Sequence, residues 1–319
     1  MDLQINNGRF LNPHHDETRR NFKDFLLWKG GYYNDEELDK ERPSSFKYPL
    51  GNRSFDTSLP SVMWINHCTF LISLDDINIL TDPIWSKRAS PVRFLGPKRQ
   101  HSPPLDLQQL PKIDYVLISH DHYDHLDLKT VRALYQLYPN ITWIVPVGVK
   151  AWFHRQGIND VVELSWWEQI VFRDKYTFTF VPAQHFSGRS AHSLNKTLWG
   201  GWVFEASNRR FYFTGDTGYN YHDFKKIGEK WPYMDLSLIP IGSYKPRRFM
   251  SAVHVDPAEA VRIHKEVNSH FSIGMHWKTF CLSDEALDQP PYDLYLACQH
   301  EDVDPTSFVA IDPGHAFNW

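Results

Sequence analysis

Short apolar runs separated by turn residues dominate the chain after Pro60 and predict a sheet-rich domain. The runs are rich in β-branched and aromatic side chains, which is typical of strands. The first three form a predicted meander. We predict strands at 62–65, 69–74, 78–81, 115–119, 143–145, 161–164, 176–181, 202–205, 210–214 and 236–241.

Helical spacing of apolar residues occurs between these strands. It predicts a helix over 128–138, which ends at Pro139, and a second helix over 257–267. Because strands and helices are mixed in both halves of the chain, we expect two sheets covered by helices, a layered α/β sandwich.

The N-terminal part of the chain has a different texture. Residues 1–55 are polar and irregular, with prolines that interrupt any long element and one short helix predicted at 21–28. These residues are too few to form a core of their own. We therefore predict an N-terminal extension, 1–55, packed on a single domain that comprises 56–319.

Composition limits the function classes. Hydrophobic residues make up 42% of the chain and aromatic residues 15%, so a sizeable core is expected. The net charge of −4 argues against nucleic acid as a partner, because nucleic-acid-binding proteins usually carry a clustered basic excess.

The cysteines and the termini bear on the compartment. Cys68, Cys281 and Cys298 are too few and too far apart for a disulfide framework, which fits a reducing compartment. The N-terminus has no apolar segment typical of a secretory signal, and no apolar run approaches the ~18 residues of a membrane span. We expect a cytoplasmic protein whose contact with a membrane is at most peripheral.

Four side chains that can bind metal follow one of the predicted strands: His120, His122, Asp124 and His125. Histidines separated by one residue point to the same side of an extended chain, so they can hold one cation together. Asp124 and His125 follow as the chain turns toward a helix, where they can face a second cation. This mixture of nitrogen and oxygen ligands suits zinc and tolerates manganese or iron.

Three further polar residues share one kind of position, directly after an apolar run. They are His185, Asp216 and His276, and Gly215 lets the carboxylate of Asp216 turn inward. Together with the histidine cluster they complete two coordination shells. The sequence therefore predicts a binuclear metal site.

The order of these seven residues resembles the metallo-β-lactamase superfamily of binuclear hydrolases. The resemblance implies an αββα sandwich with two zinc ions, or manganese or iron in their place. It also implies how the ligands divide: His120, His122 and His185 for the first metal, Asp124, His125 and His276 for the second, and Asp216 as the bridge.

Longer motifs point to one branch of that superfamily. They include LTDP at 80–83, FLGPKR at 94–99, PAQH at 182–185, HVDP at 254–257 and MHWKTF at 275–280. These motifs resemble N-acyl-phosphatidylethanolamine phospholipase D and its bacterial relatives, which release phosphatidic acid and an N-acylethanolamine. The resemblance places His254 near the scissile group. The segment 66–68 departs from it, because Asn-His-Cys stands where relatives tend to show Gly-His-Ala.

The predicted reaction is phosphodiester hydrolysis of a phospholipid. A hydroxide generated between two cations near neutral pH attacks phosphorus, and a metal or His254 stabilises the developing charge. Asp124 or Asp216 orients the attacking oxygen. The resemblance also implies that the N-terminal region either binds lipid or pairs two copies into a homodimer.

Three alternatives remain open on the sequence. A lactonase or another ester hydrolase would use the same ligands, and only a substrate panel separates it from a phosphodiesterase. A di-iron redox enzyme commonly has a carboxylate in place of the second histidine, whereas this chain has His122. A non-catalytic binding protein would have no need for seven intact ligands.

Overall fold

The computed structural model describes residues 3–14, 22–33, 41–48, 51–52 and 55–319. A hairpin comes first, formed by β1 (Ile5–Asn6) and β2 (Arg9–Phe10). Two seven-stranded sheets follow. The first sheet has the order β16-β3-β4-β5-β6-β7-β8 and contains β3 (Ser61–Asn66), β4 (Thr69–Leu74), β5 (Ile77–Thr81), β6 (Tyr115–Leu117), β7 (Thr142–Pro146), β8 (Val161–Leu164) and β16 (Ala316–Asn318).

The second sheet has the order β15-β14-β13-β12-β11-β10-β9. Its strands are β9 (Gln169–Phe172), β10 (Tyr176–Val181), β11 (Gly201–Ala206), β12 (Arg209–Phe213), β13 (Met234–Pro240), β14 (Ser269–Met275) and β15 (Phe308–Val309). In each sheet a meander of antiparallel strands is followed by parallel pairs, β5 to β8 in one and β12 to β15 in the other. The carboxyl ends of parallel strands share an edge, which is where α/β proteins place their sites.

The core lies between the two sheets and is rich in aromatic side chains. Trp64 and Phe70 of the first sheet and Phe180 and Trp202 of the second are fully buried in one continuous cluster. The indole Nε1 of Trp202 donates a hydrogen bond of 2.9 Å across the interface to the carbonyl of Ile118. This bond fixes the chain just after β6. The packing of aromatic side chains between the sheets accounts for part of the high aromatic content.

Helices cover the outer faces of both sheets. The described residues form the α-helices α1 (Phe22–Lys29), α2 (Leu128–Leu137), α3 (Lys150–His154), α4 (Asp223–Lys230), α5 (Arg247–Met250), α6 (Pro257–Glu266) and α7 (Pro290–His300). Val131 and Leu134 of α2 and Phe153 of α3 pack in a cluster on the outside of the first sheet. The α6 helix contacts β13 and β14 of the second sheet. The predicted αββα sandwich is therefore confirmed.

Most predicted elements match the observed ones within two residues. The strands at 69–74, 161–164 and 176–181 have the predicted bounds, whereas the strand predicted at 115–119 ends at Leu117. The strands β1, β2, β9, β15 and β16 and the helices α3, α4, α5 and α7 were not predicted, and β14 was predicted only as the apolar run before His276. Among the described residues, none of the helices has the length and apolar character needed to cross a bilayer.

The described part of the N-terminal region contacts the sandwich. The backbone N–H of Phe10 bonds the carbonyl of Asn195 at 2.8 Å. Trp28 of α1 stacks on Phe249, with 5.0 Å between ring centroids, and its Nε1 donates to Asp284 at 2.6 Å. The division into residues 1–55 and 56–319 stays a prediction.

Candidate metal centre

The seven predicted ligands converge at one edge of the sandwich, beyond the carboxyl ends of strands from both sheets. His120, His122, Asp124 and His125 follow β6, while His185, Asp216 and His276 follow β10, β12 and β14. They form two groups of ligand atoms in which all atoms of a group lie within 4.8 Å of one another.

The first group consists of three imidazoles. The Nε2 of His120 lies 2.8 Å from Nδ1 of His122, which is 3.4 Å from Nε2 of His185. The opposite nitrogens are held by the protein: Nδ1 of His185 lies 2.9 Å from the carbonyl of Val253, and Nδ1 of His120 lies 2.9 Å from Oγ of Ser119. Such bonds fix which nitrogen faces a metal.

Burial keeps these three imidazoles neutral. It lowers the pKa of His122 to about 3 and the pKa of His185 to about 4, and it lowers the pKa of His120 well below its ordinary value. Neutral imidazole is the form that binds a metal ion. The group is therefore in a ligating state at neutral pH.

The second group combines Asp124, His125, Asp216 and His276. The Oδ2 of Asp216 lies 3.0 Å from Nε2 of His276 and 3.2 Å from Nε2 of His125. The Oδ2 of Asp124 lies 3.3 Å from the same atom of His125. Asp216 Oδ2 is also 3.8 Å from Nε2 of His185, so this single oxygen lies between the two groups.

Opposite charges stabilise the second group. Burial alone would raise the pKa of Asp216, but the imidazoles of His125 and His276 outweigh burial and hold that pKa well below its usual range. Burial would lower the pKa of His276, but Asp216 and Asp124 raise it to about 9. Carboxylates that attract a proton onto these rings would attract a cation in its place.

Two buried nitrogen atoms test whether the residues fit a metal. The Nε2 atoms of His125 and His276 are buried, and within the part of the chain that the structure describes they have no hydrogen bond of good geometry. A buried polar atom without a partner costs about 1–3 kcal/mol, and proteins rarely leave one uncompensated. A divalent cation among these nitrogens and the two carboxylates would satisfy them, so the donor set fits a metal.

Sequence reasoning did not identify Asp82 as a site residue, although it contacts the ligand His125 and the residue before the ligand His120. Its Oδ2 lies 2.7 Å from Nδ1 of His125, and its Oδ1 accepts the backbone N–H of Ser119 at 2.7 Å. The Ser119 hydroxyl donates to Oδ2 at 2.5 Å and contacts His120 in turn. Asp82 directly follows β5, so the pattern that identified Asp216 could also have found it.

His67 was also missed, and it supports Asp124. It lies in the turn between β3 and β4 and is buried, with Nε2 2.9 Å from Oδ2 of Asp124. The φ angles of His67 and His276 are 46° and 63°, in the left-handed region that costs these residue types of order 1–3 kcal/mol. Sequence spacing does not identify His67, because it lies far from Asp124 along the chain and the two side chains meet only in the fold.

Gly215 is required for the approach of Asp216. Its φ is +63°, and a Cβ at this position would lie 2.6 Å from the carbonyl oxygen of Gly200 and 2.7 Å from Cβ of Ser119. The predicted role of this glycine at the strand end is consistent with that geometry. A larger residue would push the loop that carries Asp216 away from the loop that follows β6.

His254 lies beside both groups. Its Nδ1 is buried, has no hydrogen-bond partner among the described residues and lies 4.0 Å from Oδ2 of Asp216. Its ring centroid is 5.2 Å from those of His185 and His276. Arg247 donates to the carbonyl of His254 at 2.8 Å and to Glu259 at 2.7 Å. Arg247 thus holds the loop that carries His254.

Comparison with known proteins agrees with this geometry. The β-lactamase superfamily domain model matches residues 77–277. The chain is 40% identical to N-acyl-phosphatidylethanolamine-hydrolyzing phospholipase D 1 of Caenorhabditis elegans, over 97% of this chain and 92% of the relative. This chain belongs to that phospholipase D family, within the β-lactamase superfamily.

Two further comparisons agree with this assignment, one in sequence and one in fold. The mitochondrial N-acyl-phosphatidylethanolamine-hydrolyzing phospholipase D of Saccharomyces cerevisiae is 34% identical over 74% of this chain and 51% of the yeast protein. The solved structure of Igni18, a metallo hydrolase from Ignicoccus hospitalis, shares the fold with a TM-score of 0.61 at 18% identity, and covers 81% of this chain and 98% of its own. The similarity of this chain to the nematode and yeast proteins, both hydrolyzing phospholipases, shows that it is a hydrolase.

Proposed function

We propose that this chain is a two-zinc phosphodiesterase that hydrolyses N-acylated phosphatidylethanolamine to phosphatidic acid and an N-acylethanolamine. The position of Asp216 carries the proposal, because its Oδ2 lies within 3.0–3.8 Å of imidazole nitrogens from both donor groups. The similarity to the nematode phospholipase D over 97% of the chain supports the choice of substrate.

The residues divide into two sets of ligands that share a bridge. His120, His122 and His185 would hold one zinc ion, and Asp124, His125 and His276 would hold the other, with Asp216 between them. Three nitrogen ligands, and a mixture of nitrogen and oxygen ligands, are both typical of catalytic zinc. Zinc ions bound there would supply Lewis acidity at the phosphate and a hydroxide nucleophile near neutral pH.

The chain's own side chains prepare the reaction. Asp82 and Ser119 fix the imidazoles of His125 and His120, so that the ligands need no rearrangement. The ionised carboxylates of Asp124 and Asp216 can orient an attacking water through hydrogen bonds. As phosphorus bonds to the oxygen of that water, the bond between phosphorus and the ethanolamine oxygen breaks. The attacking water gives up a proton, and the departing oxygen takes one up, so the step balances.

His254, like His67, lies at the site and belongs to neither set of ligands in this assignment. Burial lowers the pKa of His254 well below its ordinary value, so the ring is neutral at pH 7. A neutral ring contributes a directed hydrogen bond rather than a fixed charge. We place that bond on a phosphate oxygen or on the departing oxygen of the substrate.

A substrate panel tests the proposal. Purified, metal-loaded protein is incubated with N-acyl-phosphatidylethanolamine, with phosphatidylcholine and with a set of lactones, and the products are identified by mass spectrometry. We expect phosphatidic acid and N-acylethanolamine from the first substrate, with much slower turnover of the others. Turnover confined to lactones would replace this proposal with the ester-hydrolase alternative.

A further inference from the structure

A buried thiol lies beside the second donor group of the metal centre. Cys68 follows His67 in the turn between β3 and β4 and is fully buried, with its Sγ 3.9 Å from Oδ1 of Asp216. It belongs to a third group of possible ligand atoms, which combines Cys68 with His67, His125 and His276. All atoms of this group lie within 4.8 Å of one another. Cys68 therefore shares two neighbours, His125 and His276, with the second donor group.

The size of the Cys68 group is close to that of one zinc coordination shell. Zinc binds nitrogen at about 2.0–2.1 Å and sulfur at about 2.3 Å, so a nitrogen and a sulfur on one ion are at most about 4.4 Å apart. The buried Nε2 atoms of His125 and His276 have no hydrogen bond of good geometry within the described residues. His67 differs from them, because its Nε2 already contacts Asp124 at 2.9 Å. The sulfur is thus the additional donor toward the two histidines.

Hydrogen bonds of the backbone hold the turn that carries Cys68. The hydroxyl of Thr81 donates to the carbonyl of Cys68 at 2.7 Å. The carbonyl of His67 accepts the indole Nε1 of Trp64 at 2.9 Å and the backbone N–H of His276 at 3.1 Å. The last of these bonds joins the turn directly to a candidate ligand. Ligands held on such a rigid support need little rearrangement to bind a metal.

The thiol lies on the side of the centre that faces the protein interior. Cys68 and His125 are fully buried, whereas the side chains of Asp124 and His254 are 15% and 13% exposed. Water and substrate therefore approach from the side of Asp124 and His254. A catalytic zinc ion needs one open position, and a ligand on the interior side leaves that position free.

We propose that the thiolate of Cys68 is a further ligand of the zinc ion that Asp124, His125 and His276 would hold. Thiolate is a soft ligand that favours zinc over manganese, so Cys68 would also set the metal preference of this position. The proposal rests on the proposed function only in requiring a zinc ion at the second donor group. It does not depend on the identity of the substrate.

Coordination by Cys68 exchanges a proton for the metal. Burial, together with the carboxylates of Asp216, Asp82 and Asp124, raises the pKa of the Cys68 thiol well above its ordinary value, so without metal the thiol is protonated. A thiol that coordinates zinc is deprotonated. Binding therefore forms the bond between zinc and sulfur, breaks the S–H bond and releases one proton to the solvent.

X-ray absorption at the zinc edge tests the proposal on the full-length, zinc-loaded chain. Wild type is compared with C68A, C68S and C298A. Cys298 is a buried cysteine of α7 and is in none of the possible ligand groups among the described residues, so C298A is the matched control. We expect wild type and C298A to show sulfur at about 2.3 Å, at about one sulfur per two zinc ions, and C68A and C68S to lose it.

Chelator competition gives a second readout on the same proteins. C68A should bind one of its zinc ions at least about 10-fold more weakly, since even loss of a residue that only supports a ligand costs about 10–100-fold. Its affinity for manganese should fall less, because manganese prefers oxygen ligands. Unchanged melting temperatures of the metal-free variants will show that they fold.

Two results would overturn the proposal. They are zinc without a sulfur ligand in the wild type and equal zinc affinity of wild type and C68A, and either would leave Cys68 as a weak donor to Asp216. Turnover of N-acyl-phosphatidylethanolamine is measured on the same wild-type sample. Zinc with a sulfur ligand but no turnover contradicts the proposed function and leaves the role of Cys68 standing, whereas turnover with zinc that lacks sulfur does the reverse.

Discussion

Asp82 Oδ2 lies 2.7 Å from Nδ1 of His125, and both side chains are fully buried. This contact leaves Nε2 of His125 as the nitrogen that faces Asp124 and Asp216. The same carboxylate accepts the backbone N–H and the hydroxyl of Ser119, next to His120. Asp82 therefore links one ligand from each donor group, and the site is held as a unit.

Replacing Asp82 by Asn should weaken metal binding without unfolding the chain. Asn keeps the size of the side chain but loses the charge that fixes His125, and loss of such a supporting carboxylate typically costs about 10–100-fold in metal affinity. Competition with a chelator measures the affinity. Asp114→Asn is the matched control, because Asp114 is buried at the start of β6, away from the ligands. Equal affinities in both variants would contradict the role of Asp82.

Replacing Asp216 by Asn should abolish most turnover. The substitution removes the shared negative charge between the two donor groups, and the loss should reach at least about 10²-fold because charge stabilisation at the reacting centre depends on it. Circular dichroism should remain unchanged. Asp235→Asn, in β13, controls for the loss of a buried carboxylate elsewhere. Turnover retained together with full metal content would remove Asp216 from the mechanism.

Replacing His254 by Gln should lower kcat while the metal content stays at the wild-type level. The ring lies 4.0 Å from Asp216 but belongs to neither proposed set of ligands, so its loss should cost about 10²–10³-fold in turnover. His264→Gln is the control, since His264 is a buried histidine of α6 that bonds Ser272. A parallel loss of metal in His254→Gln would instead make His254 a ligand.

Replacing Asn12 by Ala tests whether the N-terminal region supports the centre. The Asn12 amide donates to the carbonyl of His185 at 2.7 Å and accepts the His185 N–H at 3.2 Å. Removing this amide takes a partner from the buried carbonyl and N–H of His185, which should cost about 1–3 kcal/mol in the free energy of unfolding. Urea unfolding measures that cost. Asn12→Asp keeps the acceptor but places a buried oxygen against the His185 carbonyl, so it should lose stability as well. Equal stability of wild type and Asn12→Ala would show that the contact does not contribute.

Much of the fold could be predicted from the sequence, because its strands are short, apolar and bounded by turn residues. β4, β8 and β10 have the predicted bounds for that reason. β9 was missed because it lies at the sheet edge and half of its residues are exposed, so its pattern is weak. α7 was missed because it begins with two adjacent prolines, which lie in the first helical turn and do not act as breakers there.

Part of the site could be predicted from the sequence. All seven predicted ligands lie in two adjacent groups, because polar residues that follow parallel strands meet at one edge of a sheet. His67 escaped the same reasoning, since it sits in a tight turn and reaches Asp124 only through packing of β3 and β4 against the loop after β6. Asp82 was visible as a motif, but its role depends on a contact 43 residues away along the chain.

The central claim is a two-zinc centre that hydrolyses N-acyl-phosphatidylethanolamine, and one experiment addresses it most directly. Zinc per chain is measured on the purified protein by mass spectrometry, and the same sample is assayed on this lipid before and after chelation. The account predicts about two zinc ions per chain, as expected for a binuclear site, and turnover that chelation abolishes and added zinc restores. A protein that retains no metal after reconstitution, or turns over the lipid equally well without it, would contradict the account.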